Sequence, residues 1–385
     1  MTMDDRLVTL DVARGLAAIC VVLYHWPLFF YVTEYGAPPE NFPLLGLLAP
    51  VYDKGWLGAD FFFVLSGAIF FIKYARTVAG GEVTARQFLV LRFSRLAPLH
   101  YATLILTIVL QAVLFLQFDR FVLYRENLDG WHFLANLLFI QNWSFIPSLD
   151  VVPFNPPSWS LSIEALLYII FFVLLRYVPV NIFSLLAIAA AGLWLVHAGT
   201  HMTIGRGLWC FFLGGALAWF YTQRRRRERW KPELYGAAVL LLAALVFMPR
   251  SASSVSAGPL TTNIETAAYA LYTGFFAVLV CCLVFLDGAL HRVMAPFSFL
   301  GDISYSTYLL HYPLQLAVIF AVTLFGGTYE PALFRSPWTM LLFLAALIAA
   351  SLLSFHRFEV PFRKALRQSF LDKKKPAPES VASSN

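Results

Sequence analysis

The residues of this chain that can do chemistry lie inside stretches that are otherwise apolar. In LDVARGLAAICVVLYHW, Arg14 and His25 are eleven positions apart. That is about three helical turns, so both project from one face roughly 16 Å apart along the axis. A guanidinium grips anions and an imidazole exchanges protons near neutral pH, so one helix offers an anion site and a general base. Asp60 in GWLGADFFFVLSG, Glu164 in NPPSWSLSIEALLY, Arg206 at the start of another apolar run and His311 in GDISYSTYLLHYP extend the set. Ionisable groups are costly in hydrocarbon and need partners, which makes each a functional candidate. Ser304, Tyr308 and His311 follow i, i+4, i+7 spacing, a polar stripe that must face protein or a water-filled cavity. In ARQFLVLRFSRLAPLHY, Arg92 and Arg95 are one turn apart and can hold phosphate oxygens in bidentate fashion.

Each of these residues also has a plainer reading. Arg14 can snorkel to a membrane boundary beside Asp11, and His25 can bond a neighbouring helix. Asp60 and Glu164 can serve as interhelical hydrogen-bonding groups, and Arg92 with Arg95 can anchor basic charge at the inner surface. The same acids and histidines would also suit the proton pathway of a transporter or flippase, although no repeat of related halves stands out. Ser66 after Asp60 could act as a nucleophile served by His25, but Ser-Gly in a span more often lets helices approach closely. His197 and His201 have i, i+4 metal spacing without an obvious third ligand, and no metal is expected.

The elements that must position these groups are membrane helices. Of 385 residues, 59% are hydrophobic and only 13% charged, against about 25% charged in a soluble domain; mean hydropathy is +0.70. Runs near twenty residues predict an all-α integral membrane bundle of about ten helices, centred near residues 20, 65, 107, 168, 190, 213, 241, 276, 314 and 347. With the N-terminus inside, 21 of the 28 Lys and Arg fall on the inner side and 6 on the outer, Arg14 lying within a span. Both termini are therefore expected in the cytoplasm. This bias also accounts for the net charge of +6, so no nucleic-acid partner is expected. Residues 1–365 read as one polytopic domain and 366–385, rich in Lys, Pro and Ser, as a disordered cytoplasmic tail. The first apolar run holds Arg14 and His25 and reads as a permanent span, not a cleaved leader. The four cysteines read as small buried hydrophobes. The loop from about Phe118 to Trp159, with Trp131, Trp143 and PFNPPSW, is expected to form a re-entrant or interfacial lid.

Taken in order, the Arg-to-His spacing of the first span, G-x-D-x-F-F-x-L-S-G, R-x-x-R and W-S-L-x-x-E make the chain resemble the membrane acyltransferase type 3 family. That family includes bacterial O-antigen, exopolysaccharide and Nod-factor O-acetylases. The resemblance covers essentially the whole chain and implies transfer of an acyl group, acetyl first among candidates, from cytoplasmic acyl-CoA to a hydroxyl of a lipid-linked or nascent cell-surface glycan, in a bacterial inner membrane. It makes Arg14 and His25 the paired essential residues of the first span, Arg92 and Arg95 the inner arginines and Glu164 the essential acid. On this reading Arg14, Arg92 and Arg95 hold the donor's phosphates and His25 is the general base. Glu164 or Asp60 would orient His25, and Arg206, Tyr308 or His311 would donate to the oxyanion. Some relatives carry an added periplasmic esterase-like domain, so a separate periplasmic partner is a further expectation.

Overall fold

The computed structural model describes residues 6–30, 39–119, 128–149, 152–224, 231–246, 263–327 and 329–371. The helices are α1 (Val8–Tyr24), α2 (Leu45–Lys54), α3 (Gly58–Lys73), α4 (Ala85–Phe118), α5 (Gly130–Leu137) and α6 (Trp159–Tyr177). They continue with α7 (Ile182–His197), α8 (Met202–Arg224), α9 (Lys231–Val246), α10 (Asn263–Met294), α11 (Phe299–Gly326), α12 (Pro337–Ser354) and α13 (Val360–Leu371). The described residues contain no strand, as expected where lipid leaves every backbone polar group to be satisfied within its own segment.

Every expected helix centre falls on a helix. Among the described residues seven segments, carrying α1, α2–α3, α4, α6, α10, α11 and α12–α13, are long and apolar enough to cross a membrane, against the ten spans expected, and α7 is a shorter apolar helix. The protein is thus a multi-pass membrane protein. Leu106, Val109 and Leu116 on α4 and Leu342 on α12 are exposed, the pattern of a surface solvated by hydrocarbon rather than water. α13 runs to Leu371, so residues 366–371 of the expected tail are helical; 372–385, and Arg225–Arg229 of the basic run, lie outside the described residues.

Glycines set the tightest helix crossings. A Cβ on Gly67 of α3 would run into the backbone of Phe211, and one on Gly214 of α8 into the backbone of Val64. Gly15 of α1 meets Leu300, and Gly301 of α11 meets the backbone of Asp11. Small residues let backbones approach where dispersion, not hydrophobicity, drives association. α1 and α11 therefore lie close and, as their paired contacts below show, parallel.

Prolines set the breaks. Pro27 follows the last residues of α1, and its ring and missing N–H stop the helix, leaving His25 at the C-cap with φ −85° and ψ 0°. Pro313 inside α11 frees the Leu309 carbonyl, which accepts instead from Asn155 Nδ2 at 3.0 Å. Before Pro361 the backbone widens into a π-helical turn, Phe355–Glu359. The loop before α6 is stitched into the bundle: Tyr101 Oη donates to Leu137 O, Asn142 N to Ser162 Oγ and Trp143 Nε1 to Ser162 O.

Candidate active site

A cavity of about 1050 Å³ opens among α1, α3, α4, α6 and α11, lined by Arg14, Arg92, Arg95, Glu164, Ser304 and Tyr308. Along α3 it reaches from Lys73 to Ala59, about 21 Å at 1.5 Å per residue. Its basic end carries Arg6, Lys73, Arg76 and Arg176. At its far end Ser160 Oγ and Tyr308 Oη are 2.9 Å apart. The cavity is thus a long slot, cationic at one end and lined by two hydroxyls toward the other.

Arg14 is held by a backbone carbonyl and a carboxylate: its Nε donates to Gly301 O at 3.1 Å, and one Nη donates to Asp11 Oδ1 at 3.2 Å. Ser304 Oγ donates to the same Gly301 carbonyl. The two inner arginines diverge from the shared grip that their spacing suggests. The buried Arg92 guanidinium stacks over Tyr74, Phe70 and Phe88, 4.1, 4.6 and 5.5 Å from the ring centroids. Arg95 makes no hydrogen bond or ion pair among the described residues, so its donors stay free in the cavity wall. Glu164 faces the same cavity and accepts from Tyr168 one turn later on α6.

His25 does not line this cavity. Its Nδ1 lies 3.1 Å from His311 Nε2, with the ring centroids 5.0 Å apart and the ring planes 23° from parallel. His311 Nδ1 lies 2.8 Å from the Tyr308 carbonyl, one turn beyond the cavity's far end. Gln315 Nε2 donates to the His25 carbonyl at 3.0 Å. Arg14 therefore meets Gly301, and His25 meets His311 and Gln315, which keeps α1 and α11 in register over the whole interval between guanidinium and imidazole. The neighbour of His25 is a second imidazole, and neither Glu164 nor Asp60 bonds to it.

Asp60 and Arg206 form a separate centre. Arg206 forks onto both carboxylate oxygens at 3.0 and 2.7 Å, Tyr269 Oη donates to Asp60 Oδ1 at 2.8 Å, and Cys210 Sγ lies 3.8 Å away. The Arg206 guanidinium is sandwiched between Trp56 and Trp159, 4.7 Å from each ring centroid. Asp60 is fully buried with its lone pairs committed, so it neither orients His25 nor acts as a free acid, and Arg206 is not poised as an oxyanion donor. A buried bidentate pair of this kind ties α3 to α8 and α10.

Other sequence-level candidates part company. Ser66 lines the cavity, and His25 has no hydrogen bond to it. His197 Nδ1 pairs with Thr266 Oγ1 at 2.9 Å and His201 Nδ1 with Ser144 Oγ at 2.8 Å, so the two do not converge. Tyr168 and Gln315 were open to sequence reading, because each lies one turn from a candidate on its own helix. Ser160, Asn155 and Tyr269 were not, because their partners are 148, 154 and 209 residues away.

Comparison with known proteins bears on the same region. Residues 7–356 match the family of membrane acyltransferase domains of type 3. The chain belongs to that family. Among its relatives is a Bacillus subtilis protein (strain 168) provisionally named peptidoglycan O-acetyltransferase YrhL, 27% identical over 356 residues, or 83% of this chain and 52% of that one. A Staphylococcus aureus protein (strain COL) provisionally named an O-acetyltransferase is 25% identical over 396 residues, or 92% of this chain and 57% of that one. The chain thus spans little more than half the length of these family members. A shorter match of 102 residues at 32% identity, 26% of this chain and 44% of the other, links it to protein 2 of the picA locus of Rhizobium radiobacter. No solved structure matches.

Proposed function

We propose that this membrane protein is an O-acyltransferase that takes an acyl group, acetyl first among candidates, from acyl-CoA and places it on a hydroxyl of a lipid-linked or nascent cell-surface glycan. The observation that carries the reading is the slot itself, in a chain that belongs to an acyltransferase family: cationic at one end, with Arg95 in its wall making no hydrogen bond or ion pair among the described residues, and reaching Ser160 and Tyr308 one helical turn before His311, the partner of His25. The positive-inside bias supports placing the cationic end at the cytoplasm, where acyl-CoA is made, with both termini on that side of a bacterial inner membrane. Residues 1–365 are then the catalytic membrane domain.

In this reading Arg14 and Arg95 face the donor's phosphates, with Arg92 braced on its aromatic bed, and the acyl thioester lies toward Tyr308. The acceptor hydroxyl oxygen attacks the thioester carbonyl carbon while its proton passes to the His25 imidazole. As the carbon–sulfur bond breaks, the imidazolium returns that proton to the leaving thiolate, giving ester and free CoA. Tyr308 Oη, at the end of the slot, is the group best placed to donate to the developing oxyanion. Glu164 sets the charge of the slot opposite the arginines. A separate periplasmic protein that accepts or presents the glycan is compatible with this scheme.

The test is incubation of the purified protein in nanodiscs with radiolabelled acetyl-CoA and a membrane glycan fraction, beside His25→Ala. Label on glycan with the intact protein only is the expected result. Label remaining on the protein would replace direct transfer by an acyl-enzyme, and absence of both transfer and acyl-CoA binding would favour a transporter.

A further inference from the structure

We infer that His311 is a positioning residue that fixes the tautomer of His25 and so selects Nε2 of His25 as the basic atom; this rests on the acyl-transfer reading for its catalytic consequence, but not for its geometry. Tyr308 O can only accept, so His311 Nδ1, 2.8 Å away, carries the proton of that hydrogen bond. A neutral imidazole has one N–H, which leaves His311 Nε2 as an acceptor. His25 Nδ1, 3.1 Å from that nitrogen, must then be the donor. Its own single proton is thereby assigned, and His25 Nε2 is left bare.

The neutral state of His311 follows from its surroundings. Its side chain is fully buried, and no carboxylate bonds to either ring among the described residues. Burying an uncompensated imidazolium is costly, whereas the neutral chain of two hydrogen bonds satisfies every nitrogen involved. His25 is only partly buried, and its Nε2 has no partner among the described residues, as a base awaiting a substrate hydroxyl requires.

The arrangement reproduces with two imidazoles and a carbonyl what a carboxylate does in a Ser-His-Asp triad: it holds one ring nitrogen protonated and the other free. Asp60 is absent from the chain of bonds because Arg206 and Tyr269 occupy it. The Gln315 bond to the His25 carbonyl further restricts how α1 and α11 can slide, which keeps the two ring nitrogens opposed.

Two measurements test this separately from the overall activity. The first is nitrogen-15 NMR of histidine-labelled protein in nanodiscs, with the His25 signals assigned by their loss in His25→Gln. A protonated Nδ1 and a bare Nε2 on His25 are expected, and the opposite tautomer or a cationic pair would overturn the proposal even if acyl transfer is confirmed. The second is steady-state kinetics. His311→Ala is expected to lower kcat by about 10²- to 10⁴-fold while KM for acetyl-CoA stays within about twofold of the native value, as for a group acting only through the base. His311→Gln, whose amide oxygen reaches the Nε2 position, is expected to recover at least about tenfold of that loss. Native kcat in His311→Ala, or no recovery by Gln in a protein that remains monodisperse and binds acetyl-CoA, would overturn it. If the native protein transfers no acyl group, the proposed function fails while the NMR result still decides the tautomer.

Discussion

Two basic residues separated by three positions end in different physical situations. Arg92 is buried on three aromatic rings, while Arg95, one turn on, presents unbonded donors to the slot. Arg95→Ala should therefore raise KM for acetyl-CoA by about tenfold or more, the value of a lost charge-assisted hydrogen bond, and leave KM for the acceptor unchanged. Arg92→Ala should instead lower thermal stability in detergent, because it empties a packed aromatic bed. Asp60 poses a different test. Asp60→Leu leaves Arg206 as a buried unpaired charge, and a loss of about 3–5 kcal/mol is expected. The double replacement Asp60→Leu with Arg206→Met should recover most of it. If the double variant regains stability yet stays inactive, Asp60 has a role beyond this pair. His25→Ala, by contrast, should remove about 10²- to 10⁴-fold of kcat with the fold intact by gel filtration.

At the scale of elements, the site depends on how α1 and α11 end and break. Pro27 stops α1 just after His25, and Pro313 frees the Leu309 carbonyl that Asn155 takes over. Asn155→Ala should cost about 1–3 kcal/mol, because it strands a buried carbonyl. In a Pro313→Ala background the restored helix N–H can satisfy that carbonyl, so the cost of Asn155→Ala should shrink. Thermal unfolding of the four proteins of this double-mutant cycle measures the coupling. Gly67 and Gly214 hold α3 against α8 backbone to backbone. Replacing either with Leu should separate the helices and disturb both the slot lined by α3 and the Asp60–Arg206 pair, read as lower melting temperature together with weaker acetyl-CoA binding.

At the scale of the whole molecule, the proposed acyl transfer needs the slot's cationic end and the His25 end to lie at opposite depths of the bilayer. Arg76 at the cationic end and Arg335 near the opposite end of α11 are both exposed. Cysteines placed at these positions should react with a membrane-impermeant thiol reagent from opposite sides, Arg76→Cys in inside-out vesicles and Arg335→Cys in right-side-out cells. Labelling of both from one side would contradict the topology and with it the proposed route of the donor.

Much of this protein was legible in its sequence because the bilayer is a severe constraint. The ten apolar runs all fell on helices, the cost of burying charge singled out Arg14, His25, Asp60, Glu164, Arg206 and His311, and helical spacing singled out Arg92 and Arg95. Helical spacing also put Ser304, Tyr308 and His311 on one stripe, of which the first two line the cavity and the third lies one turn beyond it. Sequence reasoning could not decide which polar group meets which. Depth in a membrane is a one-dimensional property that hydropathy reports, but pairing is set by the rotation of each helix about its axis and by where glycines let backbones close. Asp60 and His25 lie on neighbouring spans at similar expected depth, yet Asp60 is committed to Arg206 and Tyr269, and His25 to His311. The sequence by itself determined the membrane class, the helices and the inventory of chemical groups; only tertiary packing decided that the partner of the histidine base is another histidine.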